Sequence, residues 1–309
     1  MLVRTRTDRP VLKREAEPTI FRTYAKMLWR DKLAFASAIF VLLAVLAAVA
    51  APIFLERQAT AMNLLMRNAA PFNPDNGLWY MLGGDTLGRS VLARILVAAR
   101  NTLLVAASAV FISLLVGSAL GLVAGWRPGW LPTIIMRAAD VLMSFPSLLL
   151  AVIVLYAFTP GLVSVVAVLA ITRLPIYIRT VRAEVLEIRE RVFVTSSRVL
   201  GAGFGWIVTR HILPVVTPTI ITIATLEFAF VMLTEASLSF LGLGIQPPQV
   251  SWGLMVAEGR NYLSSAWWIA FWPGLAIMLT TVSLNLLSNW LRIATDPRQR
   301  WRLEMGDDR

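Results

Sequence analysis

Four ionisable side chains lie within or beside long apolar stretches of this 309-residue sequence: Asp140, Arg173, Glu227 and Glu235. A charge at the centre of a lipid bilayer costs about 2.5 to 3.5 kcal/mol on insertion scales, so each of these groups is expected to face protein or water. A carboxylate in such a position can line a path for solutes, or it can neutralise a buried cation. These residues are therefore the first candidates for chemistry inside a membrane.

Glu227 is the deepest of these carboxylates. It follows Val215, where an apolar block begins, and twelve residues at helical rise place it about 18 Å further on, near mid-membrane. Two interpretations stay open. Glu227 lines a translocation path and meets a peptide amino group or a cationic substrate, or it is the buried partner of Arg173.

Asp140 and Glu235 lie closer to the ends of their apolar blocks. Asp140 follows Arg137 by three residues, and this spacing favours a local ion pair near the cytoplasmic end. Glu235 is expected near the outer interface. Asp140, Glu227 and Glu235 are therefore all candidates for lining a translocation path.

The sequence contains no motif for hydrolysis or nucleotide binding. It has no Gly-x-x-x-x-Gly-Lys phosphate loop, no Gly-x-Ser-x-Gly elbow and no His-Glu-x-x-His motif. One histidine, His211, and no cysteine leave neither a zinc ligand set nor a thiol nucleophile. An intramembrane enzyme would need a catalytic dyad, for which Asp140 and Glu227 offer only two carboxylates of unknown separation. The chain itself is therefore expected to have no catalytic activity and no cofactor.

The composition is that of a membrane protein. Apolar residues make up 57% of the chain, charged residues 15%, and the mean hydropathy is +0.69, whereas a soluble protein carries about 25% charged residues. Six apolar blocks approach or exceed the length needed to cross a hydrocarbon layer of about 30 Å. They are 33–55, 103–126, 141–158, 162–178, 215–233 and 267–291. The sequence predicts an all-α integral membrane protein with six transmembrane helices.

The distribution of basic residues predicts the orientation, because Lys and Arg accumulate in cytoplasmic loops. With a cytoplasmic N-terminus, 22 of the 29 basic residues lie inside, six lie outside, and Arg173 lies within the membrane. The net charge of +11 is then explained by basic residues in the predicted cytoplasmic segments. Nucleic acid is therefore not an expected partner. Both termini are expected to be cytoplasmic.

The longest predicted cytoplasmic loop, 179–214, has the features of a docking element. Its first part has apolar residues at helical spacing, which predicts an amphipathic helix. These residues are Val181, Val185, Ile188 and Val192. Gly201 is a natural helix stop, and the chain reverses before Pro214 opens the next span. The loop is either a short knob that contacts a partner or a solvated surface loop, and the pattern alone favours neither.

Three glycines in the second apolar block predict a close helix contact. Gly117, Gly121 and Gly125 lie four residues apart and so form one flat ridge on which another helix can pack. Whether that helix belongs to another subunit is open.

Several short motifs occur in a fixed order along residues 20–300. They are Gly84-Asp85-Thr86-Leu87-Gly88-Arg89-Ser90, Phe145-Pro146-Ser147-Leu148-Leu149-Leu150, Glu235-Ala236-Ser237-Leu238-Ser239-Phe240-Leu241-Gly242-Leu243-Gly244, Gln246-Pro247-Pro248, Ser251-Trp252-Gly253, Glu258-Gly259-Arg260, Pro273-Gly274 and Asp296-Pro297. In this order they resemble the permease subunits of the oligopeptide, dipeptide and nickel ABC importers. Leu200-Gly201 and Arg210-His211-Ile212-Leu213-Pro214 resemble the signature loop of these permeases, and Thr195-Ser196-Ser197 fall on its acidic-Ala-Ala triplet.

The resemblance implies a type I ABC importer permease fold in a bacterial inner membrane. The implied partners are a second homologous permease subunit, two ATPase subunits that bind ATP and Mg, an external substrate-binding protein, and membrane lipid. The residues implied to couple the chain to an ATPase are Thr195, Ser196, Ser197, Arg198, Gly201 and Pro214. Thr195 departs from the family, which usually has glutamate there, so a carboxylate contact is not implied, although threonine can cap a helix.

By this resemblance the chain is expected to couple ATP hydrolysis by partner subunits to alternating access. The alternative is a secondary transporter, which would show inverted repeats with broken helices, and no convincing repeat is visible. Peptides, glutathione, nickel chelates and peptide-like antibiotics all fit as cargo. The expected organisation is a cytoplasmic tail 1–32, a first transmembrane helix 33–55, an external loop or cap 56–100, a five-helix permease core 101–293 that contains the coupling loop 179–214, and a cytoplasmic tail 294–309.

Overall fold

A computed structural model describes residues 20–158 and 161–295 of the chain. Within these ranges the protein is helical, apart from turns and one isolated β-bridge between Gly84 and Ser90. The α-helices of the described part are α1 (Ile20–Arg30), α2 (Lys32–Phe54), α3 (Glu56–Thr60), α4 (Val91–Trp126), α5 (Trp130–Ser144), α6 (Ser147–Ala157), α7 (Leu162–Arg189), α8 (Val192–Val199), α9 (Phe204–Ile207), α10 (Leu213–Phe240), α11 (Trp252–Gly259) and α12 (Trp268–Thr295). The predicted all-α fold is confirmed. Most of both predicted tails lies outside the described residues.

Five membrane spans are formed by α2, α4, α7, α9 with α10, and α12. The predicted span 141–158 is different, because it consists of the end of α5 and the whole of α6, and these helices are bent by 93°. The bend lies at Phe145 and Pro146. Phe145 is extended, with φ −99° and ψ 140°, because a residue before proline avoids the helical region, and Pro146 has no N–H to continue the ladder.

The packing of α4 against α7 shows that the bent pair returns the chain across the membrane. The Ser113 hydroxyl of α4 lies 2.9 Å from the Ala170 carbonyl oxygen of α7. Further along both helices, Arg189 of α7 donates to the carbonyl of Gly125 of α4 at 2.8 Å. The two helices are therefore parallel. The chain between them must return to the starting side, so α5 and α6 together are the sixth crossing.

The glycine ridge of α4 is covered by α7 of the same chain. A Cβ atom at Gly117 would lie 2.7 Å from Cβ of Tyr177, and one at Gly125 would lie 2.7 Å from Cβ of Val185. A Cβ at Gly121 would lie 2.8 Å from the Ile178 carbonyl oxygen. These distances are too short for any side chain, so the glycines set the approach of two parallel spans. The ridge is not open to another subunit.

The predicted external segment 56–100 ends in a helix. Ser90 caps α4, since its Oγ accepts a hydrogen bond from the Ala93 N–H at 3.1 Å. The last ten residues of the segment therefore form the first turns of a 36-residue helix. The preceding turns pack on the bundle, and Trp268 of α12 donates from Nε1 to the Gly84 carbonyl at 3.1 Å.

The predicted loop 179–214 begins as an extension of a span. Helix α7 continues without a break to Arg189, and its residues Val181, Val185 and Ile188 are buried in a cluster with residues of α8, α10 and the chain that joins them. Val192 lies outside this cluster and is 81% exposed. The helical spacing of Val181, Val185 and Ile188 therefore arises because they form the buried face of α7. The prediction of a separate amphipathic helix was wrong.

Candidate functional site

Residues 190–214 form a compact helical segment between α7 and α10, which we call the coupling segment. It contains α8, α9 and one π-helical turn, Val208–Ile212. The segment lies at the end of the bundle where α4 and α7 both end. Arg189 fixes this end, because its guanidinium donates to the Gly125 carbonyl at 2.8 Å, near the C-terminus of α4, where a cation also complements the helix dipole.

Helix α8 presents aliphatic side chains to the surroundings. Val194 is fully buried and anchors the helix to the bundle, while Val199 and Leu200 at its end are 82% and 87% exposed. Exposed apolar side chains grouped at the tip of a short helix are typical of a protein contact surface. The tip of α8 is therefore an exposed apolar surface on a short helix that is anchored to the bundle by Val194.

Gly201 ends α8 in a left-handed conformation, with φ of +85°. Its N–H donates to the Arg198 carbonyl at 3.0 Å, and the Ala202 N–H donates to the Ser197 carbonyl at 3.0 Å. These two bonds are those of a Schellman motif. No heavy atom lies within 4 Å of the position that a Cβ at Gly201 would take, so the backbone conformation, and not lack of space, requires glycine here.

His211 joins the two halves of the coupling segment. Its Nε2 lies 3.0 Å from the Ser197 hydroxyl of α8, and its ring packs between the rings of Phe193 and Trp206, with centroid distances of 5.3 and 5.0 Å. The Ser197 hydroxyl also donates to the Phe193 carbonyl at 2.8 Å. No such role for His211 was predicted from the sequence. The sequence feature that could have indicated this role is the position of His211 just before Leu213-Pro214, with the aromatic residues Phe193 and Trp206 in the same loop.

The other predicted coupling residues lie in the same segment. Thr195 and Ser196 are exposed, and Arg198 stacks over the ring of Trp126 with its guanidinium carbon 4.8 Å from the ring centroid. Thr195 does not cap α8, because it lies inside the helix and its hydroxyl reaches back to the Arg191 carbonyl at 3.4 Å. Pro214 lies in the first turn of α10, directly after the π-helical turn.

Inside the membrane, Glu227 of α10 faces Arg173 of α7. Glu227 Oε2 lies 3.6 Å from Arg173 Nη1, and both side chains are about nine-tenths buried, at 10% and 12% exposure. Of the two interpretations of Glu227, this geometry favours the buried partner of Arg173. Arg173 also lies over the ring of Phe230, with its guanidinium carbon 3.9 Å from the centroid.

Asp140 forms a different ion pair from the one predicted. Its Oδ1 accepts from Nη2 of Arg179 on α7, and Arg137, the partner predicted from the spacing, is exposed. The cause is the packing of α5 on α7, which brings a basic residue from the neighbouring helix to Asp140. Both members of the pair are partly exposed, with side-chain exposures of 41% and 45%.

Glu235 is fully buried near the end of α10 and makes structural hydrogen bonds. Its Oε1 accepts from the hydroxyl of Ser239 at 2.7 Å and from the hydroxyl of Ser251 at 3.1 Å. Ser251 in turn caps α11 by accepting from the Leu254 N–H at 3.2 Å. Glu235 therefore ties the end of α10 to the start of α11.

A four-residue ion network at the opposite end of the bundle was not predicted from the sequence. Asp85 and Arg94 are almost completely buried and lie 2.6 Å apart, and Arg89 also pairs with Asp85 at 2.6 Å. Arg94 extends to Glu258 of α11 at 2.9 Å. The network joins the segment before α4 to α11. Two of its members lie in the Gly84–Ser90 motif and one in the Glu258-Gly259-Arg260 motif, which was the available signal.

Comparison with known proteins gives consistent matches. Residues 117–301 match the family described as binding-protein-dependent transport system inner membrane component. The chain is 43% identical over 219 residues to the di/tripeptide transport system permease protein DppC of Pseudomonas aeruginosa, covering 71% of this chain and 72% of that protein. It is 36% identical over 289 residues to the glutathione transport system permease protein GsiD of Pectobacterium atrosepticum, covering 94% and 95%.

The fold is similar to that of a solved chain of the MetNI methionine ABC transporter in an inward-facing conformation. The TM-score is 0.54 at 20% identity, and the match covers 66% of this chain and 98% of that chain. The family match spans α7, the coupling segment and α10, which are the elements that form the candidate site. The chain belongs to the family of binding-protein-dependent transport inner-membrane components and is a membrane permease.

Proposed function

We propose that this permease serves an ATP-driven importer of peptides or peptide-like solutes, nickel chelates included, and that its coupling segment docks in a groove of an ATPase subunit. The observation that carries the docking is the rigid helical knob with exposed Val199 and Leu200 at its tip. The peptide and glutathione permeases among the relatives support the cargo class.

The coupling segment is built to transmit a movement to two spans at once. Helix α8 follows α7 after only two residues. Ser197 links α8 to His211 in the π-helical turn that leads into α10. A displacement of α8 by an ATPase is therefore passed to both α7 and α10. Since these two helices also meet at Arg173 and Glu227, their relative tilt would open the bundle on one side or the other.

The proposed assembly places the coupling segment and both termini in the cytoplasm. The charge asymmetry of the sequence supports this orientation, because basic residues accumulate on the cytoplasmic side. The complex would contain a second homologous permease subunit, two ATPase subunits that bind ATP and Mg, and a substrate-binding protein that delivers cargo to the external end. In this assembly the ATPase subunits bind the nucleotide, and this chain contributes the coupling segment that contacts them.

A cross-linking experiment tests the docking. The chain has no cysteine, so Leu200→Cys creates a single thiol at the tip of the knob. In the complex reconstituted with its ATPase subunits, this thiol is expected to form a disulfide with a cysteine scanned along the ATPase groove. Leu65→Cys, exposed at the opposite end, is the matched control. Equal cross-linking of both variants, or none at position 200, would contradict the docking.

The energy source is tested by uptake in proteoliposomes. We expect uptake only with ATP and with the binding protein present. Uptake that continues without ATP and collapses with a protonophore would instead identify a secondary transporter.

A further inference from the structure

The Arg173 and Glu227 pair leaves hydrogen-bonding capacity unused on both partners. Twelve buried side-chain atoms of the described residues have no hydrogen-bond partner, and four of them belong to this pair and to Tyr177. They are Nε and Nη2 of Arg173, the hydroxyl of Tyr177 and Oε2 of Glu227, which lies 3.6 Å from Arg173 Nη1, beyond hydrogen-bond distance. Buried polar groups in folded proteins are paired as a rule, and several unpaired groups at one place indicate a site that something else fills. Tyr177 lies one helical turn after Arg173 on α7, and its side chain is fully buried.

The unpaired atoms of Arg173 have a specific geometry. Nη1 faces Glu227, whereas Nε and Nη2 lie on the opposite edge of the guanidinium and are both unpaired. That edge presents two parallel N–H donors, the fork that binds both oxygens of a carboxylate. A planar carboxylate therefore fits the open edge of Arg173, while Glu227 keeps an oxygen that can accept from an ammonium group.

The site is closed in this structure. The four unpaired atoms are shielded from solvent, and the ring of Phe230 covers the guanidinium at 3.9 Å. Phe230 itself is 44% exposed, so it separates the cluster from the space outside α10. Movement of this ring would uncover one face of the guanidinium, and tilting of α10 against α7 would change what borders its edge.

We propose that Arg173, Tyr177 and Glu227 form an occluded site for a zwitterionic solute, with the carboxylate of the solute on the Arg173 fork and its ammonium group on Glu227. This inference rests on the proposed import of peptides and specifies how such a cargo is held within the membrane. Phe230 is the cover of the site.

The charge balance selects the class of solute. Arg173 and Glu227 together are neutral, so a ligand that is itself neutral, with one positive and one negative end, adds no net charge to the membrane interior. A carboxylate without an amine would leave an uncompensated negative charge there, which is costly in a low dielectric. Free amino acids and short peptides with unblocked ends meet this condition.

Uptake of blocked peptides tests the site. The uptake of three solutes is measured in proteoliposomes that contain the whole importer. The solutes are a dipeptide with free ends, its C-terminal amide and its N-acetyl form. In Arg173→Lys, which keeps the charge and loses the fork, we expect the ratio of free peptide to amide to fall at least about tenfold. In Glu227→Gln the ratio of free peptide to N-acetyl peptide is expected to fall. Because one binding protein serves all variants, its own preference cancels in the comparison.

Arg137→Lys, on the exposed face of α5, is the matched control and is expected to keep the wild-type ratios. If all variants keep the wild-type ratios while ATP-dependent uptake continues, the cluster holds only water and the proposal is wrong. Loss of ATP-dependent uptake in the wild-type complex would instead refute the importer.

A second measurement requires neither an uptake assay nor substitution of the charged residues. Phe230→Cys places a single thiol at the cover of the site, and its alkylation rate is measured in the complex at rest and during ATP turnover. The free dipeptide is expected to slow the alkylation, and the amide and N-acetyl forms are expected to have no effect. Equal rates with all three peptides in both states would overturn the proposal, whatever the result for the importer.

Discussion

Ser197 of α8 and His211 of the π-helical turn that leads into α10 are joined through Oγ and Nε2 at 3.0 Å. This contact holds the coupling segment at both ends. At one end α8 follows α7 after two residues, and at the other its Ser197 contacts His211, in the turn that directly precedes α10. In the proposed mechanism, a force applied at the tip of α8 is carried into two membrane spans through this contact.

Removal of the imidazole should weaken this link. In His211→Ala the loss of one hydrogen bond, about 0.5 to 1.5 kcal/mol, and of two ring contacts would let α8 move without α10. We expect a several-fold fall in the ratio of solute imported to ATP hydrolysed, with normal membrane insertion. Thr209→Ala is the control, because its hydroxyl bonds only to Gly205 and Trp206 of its own turn. Equal ratios in wild type and His211→Ala would show that the link is not needed.

The close approach of α4 and α7 predicts the outcome of filling the glycine ridge. In Gly121→Leu the new side chain meets the Ile178 carbonyl and Val181 at less than 3 Å, and overpacking of this kind costs about 1 to 3 kcal/mol. The purified yield and the apparent melting temperature should both fall. Gly205→Leu, where no atom lies within 4 Å of the added Cβ, should behave like wild type. Normal yield and melting of Gly121→Leu would mean that the two helices separate easily.

The ion network around Asp85 predicts that one conservative substitution lowers stability strongly. Asp85→Asn leaves Arg94 buried, with Glu258 as its remaining acidic partner, and breaking one side of a buried pair costs about 3 to 5 kcal/mol. Thermal unfolding of the detergent-solubilised protein should shift down by several degrees. Glu56→Gln changes an exposed carboxylate and should leave the melting temperature unchanged. A shift of the same size in both variants would argue against a special role of the network.

The orientation can be read from thiol labelling in the cysteine-free background. Asp75→Cys lies in the segment predicted to be external and Ser196→Cys on the coupling segment, and both positions are exposed. In intact cells an impermeant maleimide should label position 75 alone, and after permeabilisation it should label both. Labelling of position 196 from outside would reverse the proposed topology.

The helices could largely be predicted from the sequence, because long apolar blocks have few alternatives to spanning a membrane. The break at Phe145 and Pro146 was hidden, since the block around it is apolar apart from Ser144 and Ser147, and proline is tolerated in membrane helices. The end of the span in α7 was placed too early for a related reason. The residues after Ile178 become charged while the helix and its buried face continue to Ile188.

Ion pairs between helices were harder to predict than the helices. Local spacing pointed Asp140 to Arg137, but the partner is Arg179, 39 residues away, because the packing of α5 on α7 decides which charges meet. The pairing of Glu227 with Arg173 could be considered from the sequence, since two opposite charges in apolar blocks need partners. The open fork of Arg173 could not, because it depends on which edge of the guanidinium faces Glu227.

The measurement that tests the coupling account most directly compares Gly201→Val with Gly203→Val in the reconstituted importer. Position 201 has φ of +85°, which costs a β-branched residue about 1 to 2 kcal/mol, whereas position 203 is extended, with φ −73° and open space around it. Both variants should insert in normal amounts. We expect Gly201→Val to lose ATP hydrolysis stimulated by the binding protein, together with uptake, and Gly203→Val to retain both. Wild-type uptake by Gly201→Val in the same vesicles would contradict transmission of the ATPase stroke through this segment.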